Sequence, residues 1–292
     1  MTTKSMEELE HFKRKSQRTA LALLKNPNTQ KVGQSILECA ERVCLTYRDQ
    51  LNPTIRTYYC HQRQCPNCQE RRSQKICSEM HQMFDQHPGL AQQQWLYLTL
   101  TVRNCNIWDL REKLLNMTQA YQRVTKRKFF QENVIGAIRF TEVNVGQSEP
   151  NTAHPHFHCM LLVRPSMYSG NNYVSQGRWT EAWQSALQEP YAPKVHIQRI
   201  SGPPEDVRRQ VIGLAGYSTK ARTDEPDDQW LVAITQELKN LNLMQTSGLL
   251  QTMRSQLSDY SVFEGNDWPA KGRLEASSVF AWDGYTYKNY SV

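Results

Sequence analysis

His154-Pro-His156-Phe-His158-Cys-Met-Leu-Leu-Val163 reads as a β-strand that carries chemistry. Successive strand side chains alternate between faces, so His156 and His158 project on one side with Phe157 opposite. Two imidazoles at that spacing can grip one divalent ion, and a third ligand is expected from a neighbouring strand. Val134 to Val145 reads as that neighbour, and the Gly146-Gln-Ser-Glu-Pro-Asn-Thr152 cluster as the turn of a hairpin. The turn length permits Glu142 to lie opposite the two histidines on the same sheet face. Two imidazoles and a carboxylate leave positions open for phosphate oxygens or water, which suits catalytic Mg²⁺ or Mn²⁺. His154, before Pro155 at the strand mouth, is expected to support the ligands or contact phosphate. An amidohydrolase-type HxH pair is a rival reading, but it opens a long barrel, and only 134 residues follow His158.

Working outward, Gln94-Trp-Leu-Tyr-Leu-Thr-Leu-Thr-Val102 is rich in β-branched and aromatic residues and reads as a preceding strand. Ile107 to about Gln131 reads as a long, basic amphipathic helix, Gln176 to Leu187 as a helix, Lys194 to Ile200 as a strand, and Pro204 to Lys220 as a helix opened by Pro, Glu and Asp. The resulting order β-α-β-β-α-β-α suits an α+β fold: an antiparallel sheet with helices on one face, of the ferredoxin-like kind. Three regions are expected: a helical, cysteine-rich module over 1–90, the α+β core over 91–225 and an extension over 226–292. The extension reads as one helix, Trp230 to about Leu243, followed by a less regular aromatic end.

In the first region, a helical pattern over Ser5 to about Leu24 and another that includes Ile36, Leu37 and Ala40 and runs to about Val43 flank Asn26-Pro27-Asn28, and Gln69 to about Phe84 reads as a polar helix. Six of the eight cysteines fall between Cys39 and Cys77. Cys60-x4-Cys65-Pro-Asn-Cys68 places three soft ligands within nine residues, which predicts a structural Zn²⁺ site. Cys44, sixteen residues upstream, is the preferred fourth ligand, because it begins a short extended run that can fold back. Cys39, His61 and Cys77 are alternatives. Arg71, Arg72 and Lys75 follow, placing positive charge where it can meet DNA phosphates.

Composition narrows the function classes. Of 292 residues, 39% are hydrophobic and 22% charged, close to the average globular range. A formal net charge of +7 points to a polyanionic partner, nucleic acid first. No window approaches the roughly 18 uninterrupted apolar residues of a membrane-spanning helix, so no membrane role is expected. The N-terminus, MTTKSMEELEHFKRK, lacks the apolar core of a signal peptide, which makes the cytoplasm the expected compartment.

Tyr217 and Lys220 in Val211-Ile-Gly-Leu-Ala-Gly-Tyr217-Ser-Thr-Lys220 share a helix face. Together with Leu96-Tyr-Leu-Thr-Leu-Thr-Val-Arg-Asn104, the HPHFH stretch and the Cys60, Cys65, Cys68 cluster, they make the chain resemble the rolling-circle replication initiator (Rep) proteins of small bacterial plasmids, members of the HUH endonuclease superfamily. The resemblance spans about Arg42 to Arg222. It implies a site- and strand-specific DNA nickase in which Tyr217 attacks a scissile phosphodiester, leaving a 5′-phosphotyrosine link and a free 3′-OH. A phenol, with an ordinary pKa of about 10, is a weak nucleophile at neutral pH. The ion held by Glu142, His156 and His158, and the charge of Lys220, are therefore expected to assist. The partners implied are plasmid origin DNA, single-stranded or extruded at the nick, and a host helicase and DNA polymerase.

The sequence departs from this resemblance at two places. Many relatives carry a glutamate one helical turn before the tyrosine, where this chain has Gly213, and a lysine is common where it has Gly216. Asp224, Glu205 or Asp206 are the candidates to act in termination. Two other functions compete: a transposase or relaxase built on the same core, and a non-catalytic zinc protein that binds DNA as a repressor.

Overall fold

A computed structural model describes residues 6–47, 53–146, 149, 151–168, 173–219, 226–257 and 277–290. In chain order the elements are α1 (Met6–Leu24), α2 (Gln30–Glu38), β1 (Arg42–Tyr47), β2 (Pro53–Thr57), α3 (Pro66–Gln86), β3 (Gln94–Thr101), β4 (Cys105–Asn106), α4 (Leu110–Thr125), α5 (Lys128–Asn133), β5 (Val134–Val145) and β6 (Thr152–Val163). They continue with α6 (Gln176–Leu187), β7 (Val195–Ile200), α7 (Pro204–Tyr217), α8 (Asp228–Glu237), β8 (Met244–Ser247), α9 (Gly248–Ser255), β9 (Ser277–Trp282) and β10 (Tyr287–Asn289). The class is α+β with antiparallel sheets, as expected. The chain divides into two compact units, one of residues 1–72, 221–236 and 259–292, the other of 73–220 and 237–258.

The second unit is built on a sheet of order β7-β3-β6-β5-β8, with β4 paired to the start of β6. The expected β-α-β-β-α-β-α order is present as β3, α4, β5, β6, α6, β7 and α7. The single long helix expected from Ile107 is broken into a one-turn 3-10 segment, α4 and the short α5. Alternation along β6 creates two different faces. On one, Phe157 meets Tyr121 of α4 and Trp183 of α6. Buried Leu110, Leu114, Met117, Tyr121 and Val124 recur at helical spacing on the inner side of α4. Arg139 lies in this layer, 1% exposed, its guanidinium 4.2 Å from the Phe157 ring centroid.

The other face has its own helical layer. Met160, Leu162, Trp95, Tyr97, Ile138 and Phe140 pack there with Met80, Met83 and Phe84 of α3 and with Val207, Val211 and Ala215 of α7. This apolar floor stops where His158 and His156 replace Met160 and Leu162 in the alternation, and the polar end of the same face is left for chemistry. The helix expected from Trp230 to about Leu243 is present as α8, ending at Glu237, and the edge strand β8, followed by α9 in a stretch expected to be less regular, extends the sheet beyond β5.

In the first unit, α1 and α2 pack around Ala20, Leu23 and Ile36 together with the cysteines and Val232 of α8. The aromatic end of the chain, expected to be irregular, supplies β9 and β10 to a second sheet of order β10-β9-β1-β2. Val43 and Leu45 of β1 join Leu9 and Tyr287 in its small core.

Candidate functional site

The β5–β6 register places Glu142 directly opposite His156, and Phe140 opposite His158. From the other side β3 brings Thr101 opposite His156 and Thr99 opposite His158. Glu142 Oε2 lies 2.8 Å from His158 Nε2 and 3.2 Å from His156 Nε2. The two imidazoles are buried at 7% exposure each.

The hydrogen bonds of these rings decide what the cluster can hold. His156 Nδ1 lies 3.3 Å from the His154 carbonyl oxygen, so Nδ1–H donates there and neutral His156 keeps a lone pair on Nε2. His158 Nδ1 is 3.2 Å from Thr99 Oγ1, which fixes the ring from behind. Burial works to raise the Glu142 carboxyl, but hydrogen bonds and charge from His156 and His158 outweigh it and hold it well below the usual carboxylate range. The group therefore offers an ionised oxygen and two ring nitrogens within 4.8 Å of one another, a fit for one divalent cation. His154 stands beside it, its ring centroid 5.5 Å from that of His156 and its Nδ1 2.8 Å from Asn104 Oδ1.

Tyr217 is the last residue of α7 and is 65% exposed, with its ring centroid 6.4 Å from that of His158. The helix thus ends over the polar part of the sheet face, with the phenol beside the Glu/His/His group. Lys220 and Asp224 lie outside the described residues. Asp206 is paired with Arg209 in the first turn of α7, and it and Glu205 precede Tyr217 by eleven and twelve residues. At a helical rise of 1.5 Å per residue that is roughly 17 Å, too far for either to stand in for a carboxylate one turn before Tyr217. At Gly213 itself an added Cβ would meet nothing within 4 Å.

The second cluster is made of Cys39, Cys60, Cys65 and Cys68, all buried, with sulfurs within 4.8 Å of one another. Cys39 and Cys60 each place Sγ 3.7 Å from Cys68 Sγ. A tetrahedral zinc with bonds of about 2.3 Å sets sulfurs roughly 3.8 Å apart, whereas a disulfide needs about 2 Å, so the spacing fits a thiolate-bound ion. Cys65 is held well below the usual thiol range by hydrogen bonds from Cys39, Cys60 and Cys68. Buried Lys13 donates to the carbonyls of Leu37 and Cys39 at 2.6 and 2.7 Å, so a positive charge sits beside a group that gathers negative charge.

The fourth sulfur in this cluster is that of Cys39, where the sequence favoured Cys44. The hairpin register explains the difference. Cys44 pairs with Arg56 on β2, four residues before Cys60 and about 13 Å away along a strand. Cys39 caps α2, and the chain then turns through Ala40 at φ +52, whose N–H donates to the Tyr58 carbonyl at 2.8 Å. That turn delivers Cys39 to the end of the hairpin where Cys60 lies. Arg71 stacks over the Tyr59 ring at 3.9 Å. Arg72 donates to the carbonyls of His61, Gln62 and Arg63, bracing the loop between the cysteines. Lys75 follows on α3, half-buried.

Sequence reasoning missed Thr99, Tyr97 and Lys13. Thr99 and Tyr97 share the alternation of β3 that faces His158, a signal visible only once β3 is known to neighbour β6. Tyr97 stacks on His158 with ring centroids 5.4 Å apart, and burial pushes its phenol up to about 12 against the hydrogen bond with Ser218.

Comparison with known proteins gives a consistent picture. A family model described as replication protein matches residues 53–291. "Protein rep" of Streptococcus pneumoniae serotype 2 (strain D39 / NCTC 7466) is 30% identical over 80% of this chain and 76% of its own length. "Protein rep" of Lactiplantibacillus plantarum is 29% identical over 81% and 80% of the two chains. A "Replication protein" of Staphylococcus aureus is 28% identical over 75% of this chain and 97% of its own. No solved structure matches.

Proposed function

This chain belongs to the replication protein family, as a plasmid replication initiator, and from that premise we propose that it starts rolling-circle replication by nicking one strand of the plasmid origin through a covalent tyrosine intermediate. The observation that supports this best is the convergence of Tyr217 with Glu142, His156 and His158 at one end of one sheet face. In this reading the Tyr217 phenol oxygen bonds to phosphorus as the bond from phosphorus to the 3′ oxygen breaks. The 3′ oxygen leaves as a hydroxyl that a polymerase can extend, and the 5′ phosphate stays on Tyr217. The phosphoester link retains the energy of the broken bond, so the displaced strand can be rejoined.

Each residue has a physical task. Glu142, His156 and His158 hold Mn²⁺ or Mg²⁺, which when bound polarises the scissile phosphate and stabilises charge developing on its oxygens. Thr99 fixes the His158 ring, and the 65% exposure of Tyr217 leaves its hydroxyl open to a phosphate approaching from solvent. Lys220 supplies positive charge near the attacked phosphate, and His154 contacts a flanking phosphate or steadies His156. We assign the nuclease core to residues 91–225 and a structural Zn²⁺ to the cysteine module, held by Cys39, Cys60, Cys65 and Cys68. Arg71, Arg72 and Lys75 add positive charge beside that module for duplex or single-stranded origin DNA. A host helicase and polymerase act on the nicked product in the cytoplasm.

The experiment is to incubate the protein with single-stranded oligonucleotides spanning its own replicon, with Mn²⁺ or EDTA, and to look for an SDS-resistant adduct. An Mn²⁺-dependent adduct that disappears in Tyr217→Phe supports the reading. DNA binding with no adduct on any oligonucleotide would overturn it in favour of a non-catalytic DNA-binding protein.

A further inference from the structure

The backbone around Tyr217 is held at three points by residues with no place in the chemistry above. Ser73 Oγ on α3 donates to the Gly216 carbonyl at 3.0 Å, a bond between buried groups. Cys77, one turn further along α3, presses its sulfur against Gly216: a Cβ at that position would lie 2.7 Å from Cys77 Sγ. On the other side, Tyr97 of β3 hydrogen-bonds Ser218 Oγ at 3.1 Å, and Ser218 Oγ in turn donates to the Leu214 carbonyl at 2.8 Å. Ser73, Tyr97 and Ser218 are 8%, 6% and 8% exposed.

Helix ends fray, because their last carbonyls lack partners within the helix. Here the end that carries an exposed phenol is fixed from below, at the residues immediately before and after it. Glycine is the poorest helix former apart from proline, and its presence in the last turn of α7 is explained by the sulfur it accommodates.

We propose that Ser73, Cys77 and Tyr97 are positioning residues that pin the turn bearing Tyr217, with Gly216 as the contact through which α3 sets its height above the sheet. The inference rests on the reading of Tyr217 as nucleophile. Attack on phosphorus depends steeply on placement, so a shift of about 1 Å in this turn lowers the chemical rate on the order of a hundredfold. Substrate affinity is not expected to move with it, because Ser73 and Tyr97 are buried beneath the turn and Cys77 faces Gly216.

The test is the single-turnover rate of adduct formation on a nick-site oligonucleotide with Mn²⁺, measured beside oligonucleotide affinity and thermal unfolding. Gly216→Ala is expected to slow the adduct at least about tenfold with affinity unchanged, since the new methyl must displace either Cys77 or the turn. Cys77→Ala alone is expected to slow the reaction by loosening the contact. Added to Gly216→Ala it is expected to speed it, because it removes the clashing sulfur. That reversal of sign is what a merely structural role would not produce. Ser73→Ala, which adds no bulk and serves if Gly216→Ala fails to fold, is expected to lower the rate several-fold without weakening DNA binding.

A Gly216→Ala rate equal to wild type, or a double variant no faster than Gly216→Ala, overturns the pinning. Tyr217→Phe run in parallel separates the two claims. An adduct retained in that variant overturns the nucleophile reading itself. An adduct lost there, with no recovery in the double variant, overturns the pinning alone.

Discussion

Glu142 Oε2 sits closer to His158 Nε2, at 2.8 Å, than to His156 Nε2, at 3.2 Å, although His156 is its partner in the β5–β6 ladder. The carboxylate therefore reaches diagonally across the hairpin to serve both rings, and one oxygen is shared between two nitrogens. A single divalent ion placed there would use all three side chains at once.

Glu142→Gln should weaken Mn²⁺ binding by at least about tenfold, since a neutral amide replaces the charged ligand that hard cations favour. Isothermal titration with Mn²⁺ checks this without reference to nicking. Unchanged affinity would remove Glu142 from the metal site.

The same carboxylate makes a pH prediction for protein kept free of divalent metal. Its folded pKa is depressed, so the stability it contributes is fully present above its unfolded value of about 4.3 and is lost only as pH falls through the lower folded value. The difference in unfolding free energy between wild type and Glu142→Gln should shrink as pH falls below about 4.3. Urea unfolding at a series of pH values measures it, and a margin that grew on acidification would contradict the assigned direction.

Cys39→Ser should lower the zinc content of purified protein below one per chain, whereas Cys44→Ser should leave it at one. The contrast follows from the sulfur positions, because Cys39 Sγ touches Cys68 Sγ at 3.7 Å while Cys44 belongs to the strand pair with Arg56. Structural zinc sites carry folding free energy, so chelation should also lower the melting temperature of the wild type. Equal zinc content in the two variants would reopen the choice of ligand.

Arg139→Met should hold or raise stability, by up to about 1–4 kcal/mol. The guanidinium is 1% exposed, lies against the Phe157 and Tyr121 rings, and its three nitrogens have no hydrogen-bond partner among the described residues. Burial pushes its pKa down, the mark of a charge that the surroundings do not fully compensate. Chemical denaturation checks the sign, and a loss of several kcal/mol would mean that the charge is compensated in a way these contacts do not capture.

The sequence by itself determined the β-α-β-β-α-β-α elements of the core and their order, because those depend on short-range periodicity. The β-alternation of HPHFH, the runs around Leu96 and Val134, and the Pro-Glu-Asp start of α7 each express their structure within a few residues. They also determined that His156 and His158 share a face and that the β5–β6 turn allows Glu142 to join them. What only the tertiary structure decided are contacts between segments far apart in sequence. The register of β1 on β2 delivered Cys39 to the cysteine cluster and left Cys44 on the strand. The pairing of the C-terminal β9 with β1 made a sheet of a stretch that has no strong local pattern. The approach of α3 to the end of α7 explained a glycine that reads, in sequence, only as a departure. The physical reason is the same in each case: the alternation and helical spacing of side chains are fixed by local backbone geometry, whereas register and close approach are settled by which distant surfaces fit when the core closes.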